Sequence, residues 1–144
     1  MGKNLISQIN LASLVAGTSG ATGASTPILD MDGYEGVLFL AYEETTNTSN
    51  QLIARGGSAT NSLTEYTGPS GGEASGTQVN LYLDVFRPKH RYIEGYLNSS
   101  LGATGNALIL ALRYGARTTP TTNATVWNGK ELFSPNTGTA TATG

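Results

Sequence analysis

The sequence predicts an all-β fold, a single antiparallel β-sandwich of jelly-roll type with an extended N-terminal arm and a C-terminal tail. Three observations predict it. Short apolar segments recur along the chain between turn residues; 19 glycines with abundant Thr, Asn and Ser disfavour long helices; and the segments on either side of Pro88 alternate as half-buried strands do. A chain of 144 residues fits one domain, and such a length buries roughly two thirds of the surface that the unfolded chain exposes. Leu, Ile, Val and Phe make up only 30 of those residues, a thin supply for a core, but a net charge of −2 argues for folding over disorder.

Residues 1–26 open with Leu5, Ile6, Ile9, Leu11, Leu14 and Val15 and then pass into Gly, Ser, Thr and Ala. The apolar positions fit neither the helical nor the strand period, and Asn4, Ser7, Asn10 and Ser13 are poor helix formers, so an extended arm or strand is expected. The sandwich itself is expected over 27–117. Gly33 and Gly36 bracket Tyr34 ahead of VLFLAY, residues 37–42, a near-continuous apolar run that reads as a central strand buried on both faces. After the polar turn EETTNTSN, residues 52–55 are expected to pair back on that strand as a hairpin. Residues 62–66 form a weak strand candidate before a Gly-rich loop. From 78 to 86, Val79, Leu81, Leu83 and Val85 share one face while Asn80, Tyr82, Asp84 and Phe86 share the other. Residues 91–98 and 106–114 are the next two strands; the Ala, Leu and Ile of the second also suit a helix of about two turns. The Thr-rich tail, 118–144, carries only Val126, Trp127, Leu132 and Phe133 as large apolar residues and cannot build a core of its own.

Several function classes fall away on composition. Without cysteine there are no disulfides and no thiolate metal sites. No apolar run reaches the roughly 20 residues of a membrane helix, and Ser7, Gln8 and Asn10 interrupt what would be the apolar centre of a signal peptide. A soluble protein without export is expected. A pI of 5.2 gives no global attraction to nucleic acid. His90 is the single histidine, too few ligands accompany it for zinc, and no candidate nucleophile sits in a sharp glycine-flanked turn. No enzyme, metal or cofactor is expected. LDMDGYEG contains Asp30, Asp32 and Glu35 but lacks the spacing of a calcium loop, and reads as a turn in which Gly33 supplies an unusual backbone angle. Glu43 and Glu44 point to opposite faces and read as solvated strand-end residues.

The densest charge lies in DVFRPKHRYIEGYL, residues 84–97, where Arg87, Lys89, His90 and Arg91 fall within five positions although only 12% of the chain is charged. Pro88 has no amide hydrogen and cannot sit inside a paired strand, so RPKH is a corner between two strands, presented at a sheet rim. Two uses remain open. The corner is either a solvated turn that keeps strand edges from pairing indiscriminately, or an anchor whose arginine forks grip a partner's carboxylates or carbonyls. A nucleic-acid site calls for a broader positive stripe with exposed aromatic residues.

The order of GYEGVLFLAY, LYLDVFRPKHRYIEGYL, ALILALRYGARTTP and ELFSPNTGTA resembles the small decoration, or cement, proteins of tailed-phage capsids. In that family a strand ends in a valine-aromatic-Arg-Pro-basic-Arg-Tyr corner, a later strand ends in Tyr-Gly-x-Arg with Pro close behind, and a Ser-Pro-x-x-Gly-Thr-Ala type tail follows. The resemblance implies a β-sandwich, made in the cytoplasm of a host bacterium, that homotrimerises on the exterior of the virion head and reinforces contacts between copies of the major capsid protein, with no nucleic-acid or membrane partner. Arg87, Pro88, Lys89, Arg91, Tyr92, Tyr114, Gly115, Arg117 and Pro120 match its pattern. The expected subunit or capsid interface comprises Arg87, Lys89, Arg91, Tyr92, Tyr114 and Arg117, together with Trp127. A carbohydrate-binding sandwich using Tyr34, Tyr42, Tyr66 or Trp127 as stacking platforms is the alternative.

Overall fold

Alternating sequence becomes alternating burial. The computed structural model describes residues 9–17, 23–43, 50–66, 73–76, 80–98 and 107–117, and among them every regular element is a strand. In chain order these are β1 (Asn10–Gly17), β2 (Gly23–Ser25), β3 (Leu29–Asp30), β4 (Gly36–Glu43), β5 (Asn50–Gly57), β6 (Thr64–Glu65), β7 (Glu73–Gly76), β8 (Asn80–Phe86), β9 (Tyr92–Asn98) and β10 (Ala107–Tyr114). They form two antiparallel sheets. The front sheet runs β1-β10-β4-β8; the back sheet runs β2-β9-β5-β6, with β3 also on β9 and β7 also on β5. Counting β2 with β3 and β6 with β7 as single positions, the first strand lies beside the last and the second beside the last but one. That wrapping is the double Greek key of a jelly roll.

The core lies between the sheets. Val37, Phe39 and Ala41 from β4 and Ala107, Ile109 and Ala111 from β10 meet Leu52 and Ala54 from β5 and Ile93 and Leu97 from β9, all buried. Gly95 of β9 makes room for the largest of them: a Cβ there would stand 2.5 Å from Phe39 Cδ1. The inner residues of β8, Leu81, Leu83 and Val85, pack against this cluster from the sheet edge. Each fully buried side chain of this size contributes about 1.5–3 kcal/mol.

The hairpin expected between β4 and β5 does not form. Those strands lie in opposite sheets, because a jelly roll crosses the core at most of its connections and sequence neighbours face each other instead of pairing. The helix alternative for 106–114 gives way to β10, a central strand paired on both edges. The 62–66 candidate holds β6, and the Gly-rich loop contains β7, whose composition gave no strand signal.

Residues 37–42 are central but are not buried on both faces: the outer Leu40 and Tyr42 are exposed. Glu43 is buried, not a solvated strand end, and neither carboxylate oxygen has a partner among the described residues. The segment that matched no period becomes β1, and its register against β10 slips between Leu11 and Ser13. A bulge inserts one extra residue and inverts the alternation midway, which hides a strand from a period count. The tail from 118 onward, including Trp127, lies outside the described residues.

Candidate functional site

The turn DMDG sits at one end of the sandwich, where β3 leaves the back sheet. Tyr34 N–H donates to Met31 O at 3.0 Å, Asp32 N–H donates to Asp30 Oδ1 at 3.0 Å, and Gly33 takes φ 86°. This is the glycine turn expected from sequence, and it is also a strap. Glu35 N–H donates to Tyr114 O at 3.0 Å, Arg117 N–H donates to Gly33 O at 2.9 Å, and Arg87 N–H donates to Glu35 O at 2.7 Å. Backbone bonds thereby hold the 87–91 corner and the 115–117 segment against opposite sides of one turn. Gly115, at φ 64°, lets the chain pass so closely that a Cβ would meet the Glu35 side chain at 2.6 Å.

The result is an open groove of about 800 Å³ whose walls include Tyr34, Glu35, Arg87, Lys89, Arg91 and Arg117. Pro88 separates β8 of the front sheet from β9 of the back sheet as the sequence requires, and the corner crosses the rim. Arg87 has φ 49°, a left-handed conformation that costs a non-glycine residue about 1–3 kcal/mol and persists only where its surroundings impose it. Its guanidinium lies 5.0 Å over the Phe86 ring and 3.7 Å from Glu35 Oε1, yet the side chain is 71% exposed. Lys89 and Arg117 have no ion pair among the described residues. Three cations thus stand at the groove with weak or no internal pairing, a suitable array for carboxylates borne by a partner.

Arg91 behaves differently. Its Nε donates to Asp30 Oδ1 at 2.9 Å and its Nη2 to Asp30 Oδ2 at 2.7 Å, a two-pronged clamp between the start of β9 and β3. The clamp holds Asp30's carboxyl below the usual carboxylate range and raises the guanidinium further above its own. His90 anchors the corner from the other side: its backbone N–H and Nδ1 lie 3.4 and 3.2 Å from Tyr66 Oη, and the two rings stack. Burial pushes the Tyr66 phenol up.

Of the residues expected from sequence, the fold brings Arg87, Lys89, Arg91 and Arg117 to the groove and sends the tyrosines elsewhere. Tyr92 projects from the outer side of the back sheet beneath Arg91, 5.4 Å away. Tyr114 crosses the outer side of the front sheet and donates to Asp84 Oδ1 at 2.6 Å. Burial, then the adjoining carboxylate, hold that phenol well above its ordinary pKa.

Sequence reasoning passed over Arg113. Inward-facing at the end of β10, it donates to Asn10 Oδ1 at 2.7 and 3.0 Å and to Asp30 O at 2.5 Å, with its guanidinium 4.4 Å over the Tyr34 ring. It closes the core beneath the groove, and burial lowers its pKa. An arginine on the inward side of an otherwise apolar alternation is the signal that marks it.

No family model matches the chain, and no curated protein matches it. Among solved structures the chain is similar to PBSX exported protein XepA, with a TM-score of 0.52 at 16% identity over 94% of this chain and 46% of that one. The chain therefore spans less than half of that protein, and at this identity the likeness is one of fold: an all-β sandwich of two packed antiparallel sheets.

Proposed function

We propose that this chain is a structural protein of a tailed-phage particle: a decoration protein that binds the outer surface of the head as a homotrimer and reinforces contacts between capsomers. The observation that carries the reading is the convergence of two motifs. VFRPKHRY and YGAR lie more than twenty residues apart, and the strapped turn at 31–35 draws both into one cationic groove. The similarity to XepA, a phage-related protein, supports the same broad setting. In this role the rim cations meet carboxylates or carbonyl edges of the major capsid protein, and repetition over a trimer converts modest contacts into slow release through effective concentration. The role is structural, not catalytic. Asp84 is engaged by Tyr114 and His90 by Tyr66. Among the described residues no observation favours the carbohydrate reading: Tyr34 lies under Arg113, Tyr66 holds His90, and Tyr42 lies among leucines, while the fourth platform, Trp127, lies outside them.

The test is binding to expanded, undecorated phage heads. Arg87→Ala combined with Arg117→Ala is expected to lower affinity roughly tenfold, about 1.5 kcal/mol, the scale of charge-assisted hydrogen bonds lost from a contact. Arg87→Gly serves as the folding control because glycine accepts the φ of 49° without strain. It should melt no lower than the parent while binding more weakly. Unchanged head occupancy by the double variant would return the corner to a solvated turn.

A further inference from the structure

The outer side of the front sheet carries six of the seven exposed large hydrophobic side chains among the described residues. Register builds it. Leu14 of β1 pairs with Leu110 of β10, Leu110 with Leu40 of β4, and Leu40 with Tyr82 of β8, so one row of large apolar side chains crosses all four strands. The next row is Ala16, Leu108, Tyr42 and Asn80. Between them lies an open groove of about 390 Å³, lined by leucines of β1, β4 and β10 and walled by Tyr42 and Tyr82. At the β8 edge stands a ridge: Tyr82 is 71% exposed and Phe86 57%.

We propose that two copies of this chain pack face to face on this surface, the leucine rows and Tyr82 of one against those of the other. Two observations select a second copy as the occupant. The first is area. Leu14, Leu40, Tyr42, Tyr82, Phe86 and Leu108, all exposed here, present roughly 600 Å² at about 200 Å² per fully exposed large side chain. That reaches the upper end of patches tolerated on monomers and supplies most of the roughly 800 Å² each partner contributes to a stable complex. The second is charge. The two apolar rows contain no carboxylate or cation, and the one carboxylate beside them, Asp84 between Tyr82 and Phe86 on the β8 edge, accepts from Tyr114. The leucine rows of two such faces therefore meet without like-charge repulsion. A contact made by the same face on both copies is isologous and closes as a pair. The groove offers almost no polar atom, so a sugar would find few hydrogen-bond partners in it.

The inference adds a pairing surface to the self-association in the proposed function without depending on it, and its test needs no capsid. Sedimentation equilibrium of the full chain reports the number of copies directly. The parent is expected to sediment as a small closed oligomer. Tyr82→Ser is expected to raise the dissociation constant by roughly 30-fold or more, the effect of losing an aromatic anchor. Leu108→Glu should do the same by burying an unpaired carboxylate, and Tyr82→Phe should assemble like the parent. Because Tyr82 and Leu108 lie outside the core, all three should keep the parent's far-ultraviolet spectrum. A parent that remains monomeric at high concentration, or a Tyr82→Ser variant that assembles unchanged, overturns the proposal. So does a monomeric parent that loses head binding on Tyr82→Ser, which would give the face to the shell. An oligomer that dissociates on Tyr82→Ser but ignores phage heads leaves this inference standing and removes the decoration role.

Discussion

The two outer faces of the sandwich solve the same problem in opposite ways. On the back sheet, Arg55 lies 4.1 Å over the Tyr96 ring and reaches Glu65 at 3.4 Å, while Asn98 donates to Gln51 at 3.2 Å. Ile53, although outward, is buried. On the front sheet the corresponding positions are leucines and aromatic rings, and six of them stay exposed. One face satisfies its groups within the chain; the other leaves most of its large apolar groups exposed. If the pairing proposed above holds, the difference teaches that an apolar strand pattern records burial in the assembled state and not in a single copy.

The largest expected effect sets the scale of that comparison. Phe39→Ala removes a fully buried ring from the inner side of the front sheet and should lower unfolding free energy by about 3–5 kcal/mol in chemical denaturation. Under dilute, dissociated conditions Tyr82→Ser, one strand away on the outer side, should change it by no more than about 0.5 kcal/mol. Equal losses would mean that the front face is covered within the chain and that the contrast drawn here is false.

A smaller effect is expected on the back face. Arg55→Ala removes the contact with Tyr96 and the ion pair with Glu65, and should cost about 1 kcal/mol of stability. Its association constant should match the parent's. A large loss of assembly would make the back sheet an interface as well.

The smallest effect concerns the rim that joins the faces. Asp30's carboxyl is held below its ordinary 3.8 chiefly by hydrogen bonds from Arg91. The clamp therefore adds stability that is complete above pH 3.8 and is lost as pH falls through the lowered folded value. Melting temperatures of the parent and Arg91→Gln should differ above pH 3.8 and converge below it. A gap that persists at acid pH would assign Arg91's contribution to packing over Tyr92 instead of to its charge.

Much of the fold is legible without coordinates. The alternation of 79–86, the near-continuous apolar runs of 37–42 and 107–112, and the break at Pro88 announce β8, β4, β10 and the corner between β8 and β9. Other elements are illegible for identifiable reasons. The β1 bulge inverts its alternation midway, β7 is built from residues with no strand preference, and β5 pairs with β9, whose first residue lies 35 positions beyond the end of β5, instead of with β4. At the rim, charge density located Arg87, Lys89 and Arg91, but nothing local distinguished the clamped Arg91 from the uncommitted Lys89, because Asp30 lies 61 residues before it. Tyr92 and Tyr114 shared motifs with the groove residues yet turned to opposite faces, since strand parity, not proximity in sequence, directs a side chain.

By itself the sequence determined that the chain is a β-sandwich with a cationic proline corner, because period, turn residues and the missing amide hydrogen of Pro88 are local properties. Only the tertiary structure decided which strands became neighbours, which arginine kept a carboxylate to itself, and which apolar face stayed open. Those outcomes depend on contacts between distant segments, and such contacts exist only after the two sheets have closed on a shared core.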